Sequence, residues 1–87
     1  MYRIEIARNA RRVLLRLPVR VRERIAEAIS LLGADPRNPA LDIRPLASDA
    51  EAQYRLRVGS YRVKFNKSDV ARLIQIVRIG HRKDIYR

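Results

Sequence analysis

Apolar and charged positions alternate most regularly between Tyr54 and Phe65, in the run YRLRVGSYRVKF. Tyr54, Leu56 and Val58 are separated by Arg55 and Arg57, and Tyr61, Val63 and Phe65 by Arg62 and Lys64. A period of two in aromatic and β-branched residues predicts two half-buried strands. Gly59-Ser60 between them suits a two-residue II′ turn, because glycine takes a positive φ at the first central position. That turn sets Val58 opposite Tyr61, Arg57 opposite Arg62 and Arg55 opposite Lys64. One face of the hairpin is then apolar. The other carries four cations in two opposed like-charge pairs, which destabilise a hairpin unless an anion lies across them.

Around this hairpin the pattern predicts the other elements. Tyr2–Ile6 alternates as a first strand. Asn9 is a candidate N-cap for a helix ending near Leu17, with Val13, Leu14 and Leu17 as its apolar stripe. Pro18 separates it from a second helix or opens that helix. Val21, Ile25, Ala28, Ile29 and Leu32 keep helical spacing there, and Gly33 reads as the stop. Residues 34–52 form a connector rich in turn formers, made locally acidic by Asp49 and Glu51, with an extended stretch possible near Ile43–Leu46. Asn66–Asp69 reads as a turn. Val70–Ile79 reads as a strand covered on both faces, since its apolar residues hardly alternate. The order β-α-α-β-β-β predicts a small single α+β domain spanning 1–87. It comprises an antiparallel sheet with two helices packed on one face, the first strand pairing at an edge or beside a later strand.

Charge changes this picture most. The chain of 87 residues has 20 Lys and Arg against 9 Asp and Glu, a formal net charge of +11. Residues 1–53 hold 10 basic and 7 acidic side chains, and residues 54–87 hold 10 and 2, so the hairpin half dominates the field. Such an excess favours a polyanionic partner. The arginines of the two helices read as a mixed-charge solvated face. With no Cys and one His, disulfides, thiolate metal sites and His-based metal cages are excluded. No leader and no apolar run near the ~18 residues of a membrane span is present, so a soluble, unexported, cytoplasmic protein without membrane contact is expected.

A metal-ion nuclease needs clustered carboxylates, and the basic half offers only Asp69 and Asp84. The expected chemistry is therefore cofactor-free and metal-free attack of an RNA 2′-OH on its own phosphodiester. Such a reaction needs cations at the phosphorane, proton carriers, and a flat group to stack a base. Arg62 and Arg82 are candidates for a bidentate phosphate clamp. Arg55, Arg57 and Lys64 are candidates for flanking phosphates. His81 titrates nearest neutrality and is the natural general acid or base. Tyr86 is a candidate for base stacking or for the second proton carrier.

The hairpin, followed after one strand by VRIGHRKDIYR, resembles the RelE/ParE superfamily of toxins, and LPVRVRERIAEAI resembles that domain's helical pair. The resemblance covers essentially the whole chain. It implies a curved sheet that cradles mRNA in the ribosomal A site, and a ribosome-dependent endoribonuclease that inhibits translation. It also implies an acidic RelB-like antitoxin that masks the basic face, with DNA reached only through that antitoxin. The matching positions are Arg62 on the second hairpin strand, Arg55 and Arg57 on the first, Arg82 after the last strand with His81 beside it, and Tyr86. Arginine stands here where the family has lysine on the first hairpin strand, and arginine does not readily give up its proton. Two other readings remain on the same scaffold: a ParE-like inhibitor of DNA gyrase, and a non-catalytic RNA-binding relative.

Overall fold

A computed structural model describes residues 1–86. Its elements are β1 (Arg3–Ile6), α1 (Arg8–Arg16), α2 (Val19–Ala34), β2 (Asp42–Pro45), β3 (Tyr54–Val58), β4 (Tyr61–Ser68) and β5 (Leu73–His81). The five strands form one sheet in the order β1-β5-β4-β3-β2. The β2-β3-β4-β5 run is antiparallel, and β1 joins it parallel to β5, so the sheet is mixed. The helical pair covers one face. Ala10 and Leu14 of α1 and Ile25, Ile29 and Leu32 of α2 share one core with Leu56, Val63, Phe65, Ile74, Ile76 and Ile79 of the sheet. Burying each of the larger side chains contributes about 1.5–3 kcal/mol.

The hairpin has the expected register, with Val58 opposite Tyr61, Arg57 opposite Arg62 and Arg55 opposite Lys64. Gly59 has φ +59°, a conformation that costs glycine little and other residues more. Elsewhere the local expectations need revision. Asn9 is not the cap of α1: Ala7 holds that position, and the Asn9 side chain donates instead to the Val77 carbonyl. Gly33 does not stop α2 but lies within it. A Cβ there would sit 3.1 Å from the Ile4 side chain, and the Gly33 carbonyl accepts the Tyr2 N–H at 2.8 Å. Glycine therefore serves the close approach of β1 to the helix.

The extended stretch in the connector is a full edge strand, β2, which adds a fifth strand to the expected four. Strand β4 runs on through Asn66, Lys67 and Ser68, which read in the sequence as a turn. The turn comes later, and Val70 within it is fully exposed. Strand β5 lacks alternation for a reason other than double coverage. Lys64 pairs with Arg78 but Phe65 pairs with Ile76, so Val77 is an extra residue in the ladder. This bulge shifts the pleat by one, and Ile76 before it and Ile79 after it both reach the core.

Candidate functional site

The face of the sheet away from the helices carries the charge. Leu56, Val63 and Ile79 point into the core, so their strand neighbours point the other way. Paired positions on that outer face are Asp42 with Arg57, Arg44 with Arg55, Arg57 with Arg62, Arg55 with Lys64, Lys64 with Arg78, and Arg62 with Gly80. Both like-charge pairs expected in the hairpin are present, but they are handled differently. Lys64 is 4% exposed, and its Nζ lies 2.6 Å from an Asp49 oxygen and 3.9 Å from Glu51. It is a buried, paired cation rather than the surface phosphate contact expected from the sequence. Arg55 is also largely buried, and its Nη1 donates to the carbonyl and the carboxylate of Asp42. Arg57 and Arg62, by contrast, have no carboxylate within salt-bridge distance among the described residues.

Arg62 is held without being neutralised. Its Nη1 donates to the carbonyls of Gly59 and Tyr61, each at 3.0 Å. These bonds fix the guanidinium at the hairpin turn and leave its other N–H donors unused by them. Arg82 arrives at the same turn, its backbone N–H donating to the Ser60 carbonyl at 2.8 Å. Arg24 of α2 also reaches it, with Nη1 3.3 Å from where a Cβ on Gly59 would lie.

His81 is separated from this cluster by the pleat. It pairs with Tyr61, on the core side of Val63 and Ile79, and its ring meets Tyr61 edge-on at 5.4 Å. Its Nδ1 accepts the Lys83 N–H, and its carbonyl accepts the N–H groups of Asp84 and Ile85. His81 thus shapes the turn that follows β5. That turn folds Ile85 over Gly80, where it is 6% exposed. Tyr86 is thereby carried onto the outer face, its ring centroid 5.2 Å from Lys64 Nζ. The structure brings Arg57 and Arg62 to one end of the outer face, with the backbone of Arg82 at the same turn, and seats Tyr86 beside Lys64. It turns His81 away.

Next to the arginines is a cleft of about 450 Å³, lined by residues 48–51, Lys64, Arg78 and residues 84–86. Its acidic wall is a tightly held loop. An Asp49 oxygen accepts the N–H groups of Glu51 and Ala52, as short acidic side chains do in turns. The Asn66 side chain accepts the Gln53 N–H and donates to the Glu51 carbonyl, tying the loop to β4. Arg78 grips Glu51 with two bonds, Nε at 2.9 Å and Nη2 at 2.6 Å. The hydrogen bond from Lys64 holds the Asp49 carboxyl below the usual carboxylate range, and that from Arg78 does the same for Glu51. Sequence reasoning did not place Asp49, Glu51 or Arg78 in the site. The available signal was an arginine inside an apolar strand and two acids just upstream of a cationic hairpin.

Comparison with known proteins agrees with this fold. A family profile of the ParE toxin of the type II toxin–antitoxin system parDE matches residues 4–86. The chain belongs to the RelE/ParE superfamily of toxins. It is 31% identical over 86 residues to Toxin RelG of Mycobacterium tuberculosis, covering 99% of this chain and 97% of that protein. Its fold is similar to that of an archaeal RelE–RelB complex from Pyrococcus horikoshii, with TM-score 0.80 and 26% identity over 95% of this chain and 97% of the other. A RelB–RelE antitoxin–toxin complex from Methanococcus jannaschii gives TM-score 0.74 and 29% identity, with 94% of each chain covered. The protein is a RelE-like toxin of a toxin–antitoxin system.

Proposed function

We propose that this toxin is a metal-independent, ribosome-dependent endoribonuclease that cuts mRNA in the ribosomal A site through attack of the 2′-OH, and so stops translation in the cytoplasm. The observation that carries this reading is that Arg57 and Arg62 make no salt bridge among the described residues, with the backbone of Arg82 at the same turn, on the face where Tyr86 is folded back. Arg62 and Arg82 clamp the reacting phosphate, because oriented guanidinium groups match phosphate oxygens and stabilise charge that builds on them. Arg57 holds a neighbouring phosphate. Tyr86, half exposed, stacks on a splayed base. His81 acts by holding the turn that presents Tyr86.

The partner that restrains such a toxin is an acidic, RelB-like antitoxin lying over the basic face. A net charge of +11 and the resemblance to RelE–RelB complexes support it. The test is incubation of the purified toxin with ribosomes translating a defined mRNA. The expected result is cuts inside codons, products ending in a 2′,3′-cyclic phosphate, and no effect of EDTA beyond its effect on the ribosome. Intact mRNA together with loss of gyrase supercoiling activity moves the assignment to the ParE-like reading, a gyrase inhibitor on the same scaffold.

A further inference from the structure

The cleavage reaction needs a group to accept the 2′-OH proton, and the cations at the hairpin turn are unsuited to it, since guanidinium stays protonated. His81 is turned to the core side against Tyr61. Lys64 is buried and bonded to Asp49. Asp49 is itself committed, with one oxygen on Lys64, the other on two backbone N–H groups, and a side chain only 15% exposed. Glu51 differs in each respect. Its side chain is 43% exposed, and its carboxylate is oriented by the two-pronged grip of Arg78. It lines the same cleft as Tyr86. That grip takes one acceptor direction on each oxygen, and a carboxylate oxygen has two. The cleft, at about 450 Å³, falls within the size range of small-molecule sites. Arg62 lies one pleat from Lys64 along β4, about 7 Å, so a phosphate on Arg62 and a ribose at the cleft mouth suit adjacent parts of one nucleotide.

We propose that Glu51 is the proton acceptor for the attacking 2′-hydroxyl, in a cleft where Tyr86 stacks the base. This rests on the endoribonuclease reading above. The O2′ proton passes to a Glu51 oxygen while O2′ forms its bond to phosphorus. The phosphorus–O5′ bond then breaks, and O5′ takes a proton from the Tyr86 hydroxyl, which solvent restores. The products are a 2′,3′-cyclic phosphate and a 5′-hydroxyl, and Glu51 returns its proton to water. The groups that face Glu51 are Lys64 from β4, Arg78 from β5, Asp49 from its own loop, and Asp84 and Tyr86 from the C-terminal turn. Arg78 and Lys64 favour its ionised form, and Asp49 opposes them less.

The test is single-turnover cleavage on ribosomes programmed with a defined mRNA, by wild type, Glu51→Gln and Glu51→Asp, between pH 6 and 8. Binding is measured in parallel with an mRNA carrying a 2′-deoxy nucleotide at the cut site. Glu51→Gln is expected to cut at least 100-fold more slowly while binding within threefold of wild type, and Glu51→Asp to recover part of the rate. The wild-type rate should show no rise across pH 6–7, because the acceptor is already ionised, whereas an imidazole acceptor gives a rising limb there. Glu51→Gln cutting within threefold of wild type overturns the proposal. So does loss of binding together with cutting, which assigns Glu51 to positioning through Arg78. If Glu51→Gln does not fold, the wild-type pH profile decides alone: a level profile supports Glu51, and a rising limb at pH 6–7 overturns it. Wild type that leaves mRNA intact defeats the endoribonuclease reading itself, a result distinct from an active enzyme indifferent to Glu51.

Discussion

Two ends of one sheet face hold cations in opposite ways. At the hairpin turn Arg57 and Arg62 have no salt-bridging carboxylate among the described residues, the backbone of Arg82 joins the turn, and Arg62 is braced by carbonyls. One pleat away, Lys64 and Arg78 are matched by Asp49 and Glu51 at 2.6 Å each. Both ends derive from the same alternating arginine and lysine pattern. The matched end stabilises the fold, because a buried ammonium without a partner is costly. The unmatched end adds repulsion to the fold and leaves its donors without a carboxylate salt bridge among the described residues. A cationic strand face therefore divides by where the acids of neighbouring loops reach, and the free remainder marks the candidate site.

The largest effect should come from the unmatched end. Arg62→Ala or Arg82→Ala is expected to lower mRNA cleavage at least 100-fold and abolish growth arrest, with the thermal midpoint moving less than about 3 °C. Full toxicity in both variants removes the site assignment. At the matched end, Asp49→Ala should leave activity a secondary matter and cost about 2–4 kcal/mol in urea unfolding, by stranding the Lys64 amine. The double variant Asp49→Ala with Lys64→Leu should recover most of that loss. A cost below about 0.5 kcal/mol for Asp49→Ala would show that Lys64 is supported by other means.

Acid should blur the contrast. The folded-state pKa values of Asp49 and Glu51 are depressed by Lys64 and Arg78, so their contribution is complete above the ordinary carboxylate range near pH 4. It is lost as pH falls through the depressed values below that range. Thermal melts from pH 7 to pH 2.5 should show the loss, and Asp49→Asn with Glu51→Gln should flatten the curve. Smallest of all, Arg57→Gln should change stability by under about 0.5 kcal/mol, because it removes both the repulsion from Arg62 and the attraction to Asp42 opposite on β2. The same change should weaken RNA binding and reduce the salt slope by about 1. A loss of more than about 1 kcal/mol in Arg57→Gln would mean that this end is paired after all.

The hairpin, its register and the stripe of α2 were legible in the sequence because each is set by local periodicity and one glycine turn, whereas in α1 the expected Val13 is exposed and Ala10 is buried beside Leu14. The helix boundaries were less so. Asn9 and Gly33 belong to residue types that favour caps and stops, but long-range contacts with Val77 and Ile4 claim them instead. The decisive miss concerns His81. Unbroken alternation along β5 from Ile74 and Ile76 would put Arg78 and Arg82 in the core and His81 outside. The extra residue Val77 reverses that order, and no residue type announces a bulge of this kind. Lys64 misled for a related reason: its partner lies 15 positions upstream in a loop, beyond the reach of any periodicity.

The pairing order also bears on how the toxin comes into being. Strand β5 sits between β1 and β4 yet follows every other element in the chain. Until it is synthesised, β1 lacks the strand it pairs with and the apolar stripes of α1 and α2 have half a floor to rest on. Domains are made from the N-terminus onward, and distant pairings close slowly. The guanidinium of Arg82 and the ring of Tyr86 follow later still. The cationic end of the sheet is therefore not assembled until β5 and the turn that follows it have been made.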